Sequence, residues 1–135
     1  MPGETDELVQ RAYKAFSERD LDALIEIADS QIEVHTVTGM LAGRDEPYRG
    51  HEGLLEYLRD VSEMWDEIEL TASDFHPLSD GRIVVFGRVR ARRELAVIDA
   101  PNAWLWEVRE GRIRSARVFG DPQTARELLA SADAA

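Results

Sequence analysis

The 135-residue chain contains no cysteine. That excludes disulfides, thiolate nucleophiles and any Cys-ligated metal. No apolar run approaches the roughly 20 residues that a membrane-crossing helix needs. The acidic start, Met1-Pro2-Gly3-Glu4-Thr5-Asp6, lacks the basic stretch and apolar segment of a secretion signal, so a cytoplasmic location is expected. Histidine is scarce. His35, His51 and His76 are scattered, and isolated imidazoles without a thiolate predict no metal site. Missing as well are a phosphate-cradling loop, a dinucleotide glycine fingerprint and a Ser-His-Asp nucleophile elbow. No cofactor is expected. Aromatic residues make up only 7% of the chain, so Trp65, Trp104 and Trp106 stand out as the bulky groups on which a pocket or core would be built.

Lysine is almost absent, since every base but Lys14 is an arginine. The formal net charge is -11, from 27 acids against 16 bases. Such a surface repels phosphate backbones and anionic lipid, so neither nucleic acid nor a membrane is an expected partner. A chain of this length reads as a single domain, 1–135 with a core over about 5–131, and it buries enough of itself to need no covalent staple.

Periodicity then orders the chain. Leu8, Val9, Ala12, Ala15 and Phe16 recur at helical spacing and predict an amphipathic helix over about 4–18, with Thr5 or Asp6 as cap. Arg19-Asp20 makes a break, and Asp20 caps a second helix that buries Leu21, Leu24, Ile25 and Ile27 and ends at Asp29-Ser30-Gln31. Residues 32–37 alternate with period two and place Ile32, Val34 and Thr36 on one strand face, with His35 opposite. Residues 38–50 read as loop and 51–65 as a third helix. Four strands follow, over 67–76, 82–93, 102–109 and 112–120, parted by Ser79-Asp80-Gly81 and Glu110-Gly111 turns. Asp121 with Pro122 starts a closing helix over 122–131. Helices first and a meandering sheet last is the order of an α+β domain in which a curved antiparallel sheet wraps three N-terminal helical segments.

Particular residues sharpen this. The stretch from Ala15-Phe16-Ser17 to Asp20-Leu21-Asp22-Ala23-Leu24 ends one helix in a polar turn before Asp-Leu-Asp. Tyr48-Arg49-Gly50-His51-Glu52-Gly53 forms a Y-R-G-x-x-G entry to the third helix, and Glu110-Gly111-Arg112-Ile113 and Val118-Phe119-Gly120-Asp121 mark the last strands. Together these resemble the nuclear transport factor 2-like superfamily, within it the SnoaL-like branch of polyketide-cyclase and ketosteroid-isomerase relatives. The resemblance covers about residues 5–131. It implies a cone-shaped α+β barrel enclosing a hollow, and a homodimer through the sheet. It does not fix an activity, because this scaffold carries isomerases, cyclases, hydrolases and plain binders.

Two catalytic patterns that the resemblance brings fail on these residues. In the isomerase register the phenolic donor falls on Ala12, the proton-shuttling acid on Thr36 and the protonated acid on Ala103 or Trp104. None can perform those roles, and Tyr13, about 100° further round the helix, is expected to face elsewhere. In the epoxide-hydrolase register Arg88 is followed by Arg90 where an acid is needed, and Val118 replaces the other acid.

The expectation is therefore a small apolar or aromatic molecule held in a pocket lined by Phe16, Val34, Thr36, Trp65, Phe86, Trp104, Trp106 and Phe119. An alternative is a cofactor-free cyclase, isomerase or hydrolase using Asp121, His35 or Arg88. Another is a dimerisation module whose pocket is vestigial. Each residue also has a plainer reading. Arg88, Arg90 and Arg92 share a strand face that suits solvent and pairing with Glu107. Asp121 suits a helix cap, and Asp99 an exposed Asp-Ala-Pro turn.

Overall fold

The computed structural model describes residues 4–78, 81–119 and 121–134, with side chains at 4, 5, 37 and 132–134 outside the description. The expected cap from Thr5, the Ser79-Asp80 part of a turn and the strand-ending Gly120 fall outside the described residues.

Helix α1 (Glu4–Ser17) turns a broad apolar face inward, burying Leu8, Val9, Ala12, Tyr13, Ala15 and Phe16. Arg19 stops it at a φ of 54°, while Asp20 N–H donates to the Ala15 carbonyl at 2.8 Å and Arg19 N–H to that of Phe16 at 3.0 Å. This is the paired closure that usually calls for glycine. The Arg19 guanidinium then reaches Ser62 Oγ at 3.1 Å, tying the turn to the end of a later helix. Asp20 accepts from Ala23 N–H at 3.1 Å and caps α2 (Leu21–Ile27).

Strand β1 (Ala28–His35) begins directly after α2, so Asp29-Ser30-Gln31 are the strand's first residues and do not end the helix in a loop. Its inward face carries the expected Ile32 and Val34, with Thr36 just beyond. The strand stops at His35. Thr36 Oγ1 accepts from Gly39 N–H at 3.0 Å and caps a short helix, α3 (Val37–Leu41). A side-chain cap at Thr36 thus overrides the β propensity of Val37. The rest of the expected loop contains strand β2 (Tyr48–Arg49).

Helix α4 (Gly50–Met64) buries Leu54, Tyr57, Leu58 and Val61. Its Y-R-G-x-x-G entry has a steric reason at each glycine. Gly50 has a φ of 67°, open to glycine at little strain, and a Cβ on Gly53 would lie 2.8 Å from the Tyr48 carbonyl carbon. The helix can rest on β2 only because Gly53 has no side chain.

Strands β3 (Glu67–Pro77), β4 (Arg82–Arg93), β5 (Ala96–Arg109) and β6 (Arg112–Phe119) form the antiparallel meander. The curved, unclosed sheet has six strands in the order β2-β1-β6-β5-β4-β3. One pairing is parallel, β1 with β6. Strand β5 starts earlier than expected: Asp99, Ala100 and Pro101 pair with Arg90, Val89 and Arg88, so Asp99 belongs to a ladder and not to a turn.

Alternation divides the sheet. Ile83, Val85, Trp104, Trp106, Ile113 and Ala116 face the helices and join the main core. Val84 and Ala103 face outward, where helix α5 (Pro122–Ala134) covers them with Ala125 and brings Leu128 and Leu129 against Phe86, Leu105 and Phe119. Among the described residues, no helix is long and apolar enough to cross a membrane.

Candidate functional site

Two adjoining hollows lie between the sheet and the helices. The inner one, about 50 Å³, is enclosed by Ala12 and Tyr13 of α1, Val34 of β1, Trp104 and Trp106 of β5 and Ile113 of β6. The outer one, about 190 Å³, lies toward α3 and is bounded by Thr36, Thr38, Trp65, Asn102, Val118 and Phe119. Phe16, Tyr57, Leu70 and Trp104 border both. Of the eight residues expected to line a pocket, seven do so. The exception is Phe86. Its place in the alternation of β4 turns it outward against α5, with His76 edge-on to its ring at 5.4 Å.

Aromatic rings dominate the wall. Trp104 and Trp106 stack with centroids 5.6 Å apart, and Tyr13 lies 5.6 Å from Trp106. Phe16 stacks on Tyr57 at 5.4 Å. Tyr13 lines the hollow together with Ala12, against the expectation that it faces elsewhere. The apolar stripe of α1 is wide because a curved sheet surrounds it, so two positions about 100° apart both fall inside. The sequence did carry that signal: Leu8-Val9, Ala12-Tyr13 and Ala15-Phe16 are successive apolar pairs.

The polar atoms in this wall are unevenly satisfied. Trp65 donates its indole N–H to Thr38 Oγ1 at 3.2 Å. The Tyr13 hydroxyl, the Trp104 and Trp106 indole nitrogens and Asn102 Oδ1 are buried without a hydrogen-bond partner in the protein. Trp106 lies close enough to Tyr13 to ease its ionisation slightly, but outside hydrogen-bond geometry. A buried group left in that state costs about 1–3 kcal/mol, which a guest able to pair with it would recover. Burial pushes the Tyr13 and Tyr57 hydroxyls far above the ordinary phenol range, so both are neutral donors. No Asp, Glu, His, Lys or Arg borders either hollow among the described residues.

The three nominated catalytic side chains stand elsewhere. His35 is exposed on the opposite side of β1 from Thr36 and Val34. Arg88 is exposed on the outer sheet face, where its Nε and Nη2 donate to Asp99 Oδ1 at 3.1 and 3.0 Å. Asp99, and not the expected Glu107, is its partner. Glu107 is opposite Arg82 in the ladder and 3.7 Å from Arg109. Asp121 is exposed and accepts from Gln123 N–H at 2.9 Å, the plain capping role. Substituting Asp121→Ala should cost about 1 kcal/mol of stability. Asp121→Asn should keep most of that, and denaturant melts of the two variants would check it. His51 lies 3.3 Å from the Ala28 carbonyl oxygen. Among the described residues, no three His, Asp or Glu side chains gather as a metal would require.

Near the outer hollow, Tyr48 donates to Asp60 Oδ2 at 2.6 Å, while the Arg44 guanidinium covers the Tyr48 ring at 4.0 Å and pairs with Glu56 at 3.2 Å. This network fixes the Y-R-G-x-x-G tyrosine at the foot of α4.

A six-stranded curved sheet wrapped round helices, with an aromatic hollow inside, defines the SnoaL-like class of cone. The family model for the SnoaL-like domain matches residues 9–116, and the chain belongs to that family. An uncharacterized Mycobacterium tuberculosis protein is 28% identical over 131 residues, spanning 92% of this chain and 95% of its own. Among solved structures, TerC co-crystallized with polyporic acid superposes with a TM-score of 0.78 at 23% identity, covering 93% of this chain and 98% of TerC. A nuclear transport factor 2-like protein of unknown function from Burkholderia pseudomallei gives 0.77 at 22% identity, covering 93% and 97%. Both structures share the fold.

Proposed function

We propose that this SnoaL-like chain holds a small apolar or aromatic molecule in its cone, and that it does so without a general acid or base in the wall. One observation carries the reading. Two contiguous hollows are walled by Trp104, Trp106, Phe16 and Tyr57, with no carboxylate, imidazole or amine bordering either. A site that moved protons would need such a group, or a phenol of lowered pKa, within hydrogen-bond reach of the substrate, and burial moves the Tyr13 and Tyr57 hydroxyls the other way. The side chains nominated for that work face solvent or cap a helix. A vestigial pocket is disfavoured by the open volume of about 190 Å³, larger than the roughly 150 Å³ apolar cavity that suffices to bind benzene. That a protein of the same fold was crystallized with polyporic acid is in keeping with this reading.

Ligand entry should alter intrinsic fluorescence, because Trp104 borders both hollows and Trp65 the outer one. Titration with toluene, naphthalene and limonene should quench or shift the emission in a saturable way. Emission unchanged across all of them, with no saturable shift in their presence, would count against binding.

A further inference from the structure

Resting on that reading, we infer that the ligand is an uncharged one- or two-ring molecule bearing a hydrogen-bond-accepting oxygen, and that this oxygen seats at the inner end of the cone against Tyr13, Trp104 and Trp106. Size, charge and donor count each contribute independently.

The hollows measure about 50 and 190 Å³. Ordinary ligand pockets run to roughly 300–1,000 Å³, whereas an apolar cavity of about 150 Å³ binds benzene. The outer hollow therefore holds one ring with small substituents, or two fused rings, and the inner one a single polar substituent. A four-ring skeleton does not fit without opening the sheet.

Charge is excluded by what the walls lack. An ion moved here would shed its hydration with no counter-charge among the bordering side chains, a cost of several kcal/mol. Arg44 is held over the Tyr48 ring and paired with Glu56, and Arg19 points its guanidinium at Ser62 Oγ and the Trp65 carbonyl.

The donors decide the rest. An indole N–H can only donate. Two of them, with the Tyr13 hydroxyl, are buried and unpartnered, and all three rings border the inner hollow within a chain of 5.6 Å contacts. A carbonyl oxygen brings two lone pairs and no hydrogens of its own. A trapped water is the natural rival, but it would have to place two O–H groups as well. Only the Tyr13 and Tyr57 oxygens among the bordering side chains could receive them, whereas a carbonyl makes no such demand.

The test compares three ligands of nearly one shape: acetophenone, α-methylstyrene, which replaces C=O by C=CH2, and benzoate. Binding is followed by proton–nitrogen NMR of the ¹⁵N-labelled full chain, with the indole N–H resonances assigned. Acetophenone should bind roughly fivefold or more tightly than α-methylstyrene, a ratio that one neutral hydrogen bond supports. It should also move the Trp104 or Trp106 N–H signal downfield. Tyr13→Phe and Trp106→Phe should narrow that preference, weakening acetophenone more than α-methylstyrene. Equal affinities with unmoved indole signals would overturn the acceptor site and leave small-molecule binding standing. Benzoate binding as well as acetophenone would overturn the uncharged requirement. No binding by either neutral ligand at millimolar concentration would instead remove the binding reading itself. The ligand comparison on the unaltered protein decides the matter even if a variant fails to fold.

Discussion

Replacing Trp104 by alanine should lower stability by about 3–5 kcal/mol and fuse the two hollows into one. Trp104 is 5% exposed, sits between Val85 and Val118 in the ladder and borders both cavities. Its removal deletes a large apolar body from a close-packed wall, and rigid strands on both sides limit collapse into the gap. Part of the loss is offset, because the departing indole N–H has no protein partner to leave stranded. The figure should therefore fall toward the lower end of the range. Denaturant unfolding of the two proteins measures it. The enlarged cavity should also admit ligands that the parent excludes, such as three-ring aromatics. A melt unchanged from the parent would mean that Trp104 is not part of the core.

Raising the pH above about 10 should unfold the protein steeply. All three tyrosines, Tyr13, Tyr48 and Tyr57, are pushed above the ordinary phenol value. Burial is the main cause in each, and at Tyr48 the Asp60 carboxylate adds to it. In the unfolded chain each hydroxyl ionises near pH 10. Above that point the unfolded state has lost protons that the folded state still holds, so the balance shifts toward unfolding. Stability is whole below about pH 10 and falls as the pH climbs toward the raised values, by up to roughly 1.4 kcal/mol per pH unit for each tyrosine. Three together can remove about 4 kcal/mol per unit, a large part of an ordinary domain's stability. Circular dichroism against pH, with tyrosinate absorbance recorded in parallel, should show both changes occurring together. Tyrosinate appearing in the folded protein near pH 10 would contradict this.

Much of the architecture was legible because it rests on short-range rules. Strand β4 shows at its observed limits, since the apolar run Ile83-Val84-Val85-Phe86 is followed by strict alternation from Gly87 to Arg92. Helix α4 and the capped starts at Asp20 and Asp121 follow from apolar spacing and a single side chain each. What escaped depends on partners far away in sequence. Strand β5 reaches back to Ala96 because β4 offers a ladder, although Pro101 and Asp99 alone suggest a turn. The parallel pairing of β1 with β6 joins segments some 80 residues apart, as between Val34 and Ala116, and nothing local announces it. In the candidate site, Val34, Trp104 and Trp106 line the hollows as strand alternation has it, Phe16 as helical spacing has it, and Phe86 is excluded by strand parity. The missing information was which sheet face α5 covers. Tyr13 was misplaced because the width of a buried stripe is set by what surrounds the helix, not by the helix.

The last helix has a bearing on how this molecule would meet a copy of itself. It occupies the oily half of the sheet's convex side, leaving Arg88 with Asp99, and Arg92 with Asp66 and Glu67, on the open half. Two molecules pressed back to back there would confront one another through the Arg88 and Arg92 guanidinium groups, already paired with carboxylates within each chain. Any adhesion must then come from exchanging those pairs across the seam, and dissolved salt would loosen it.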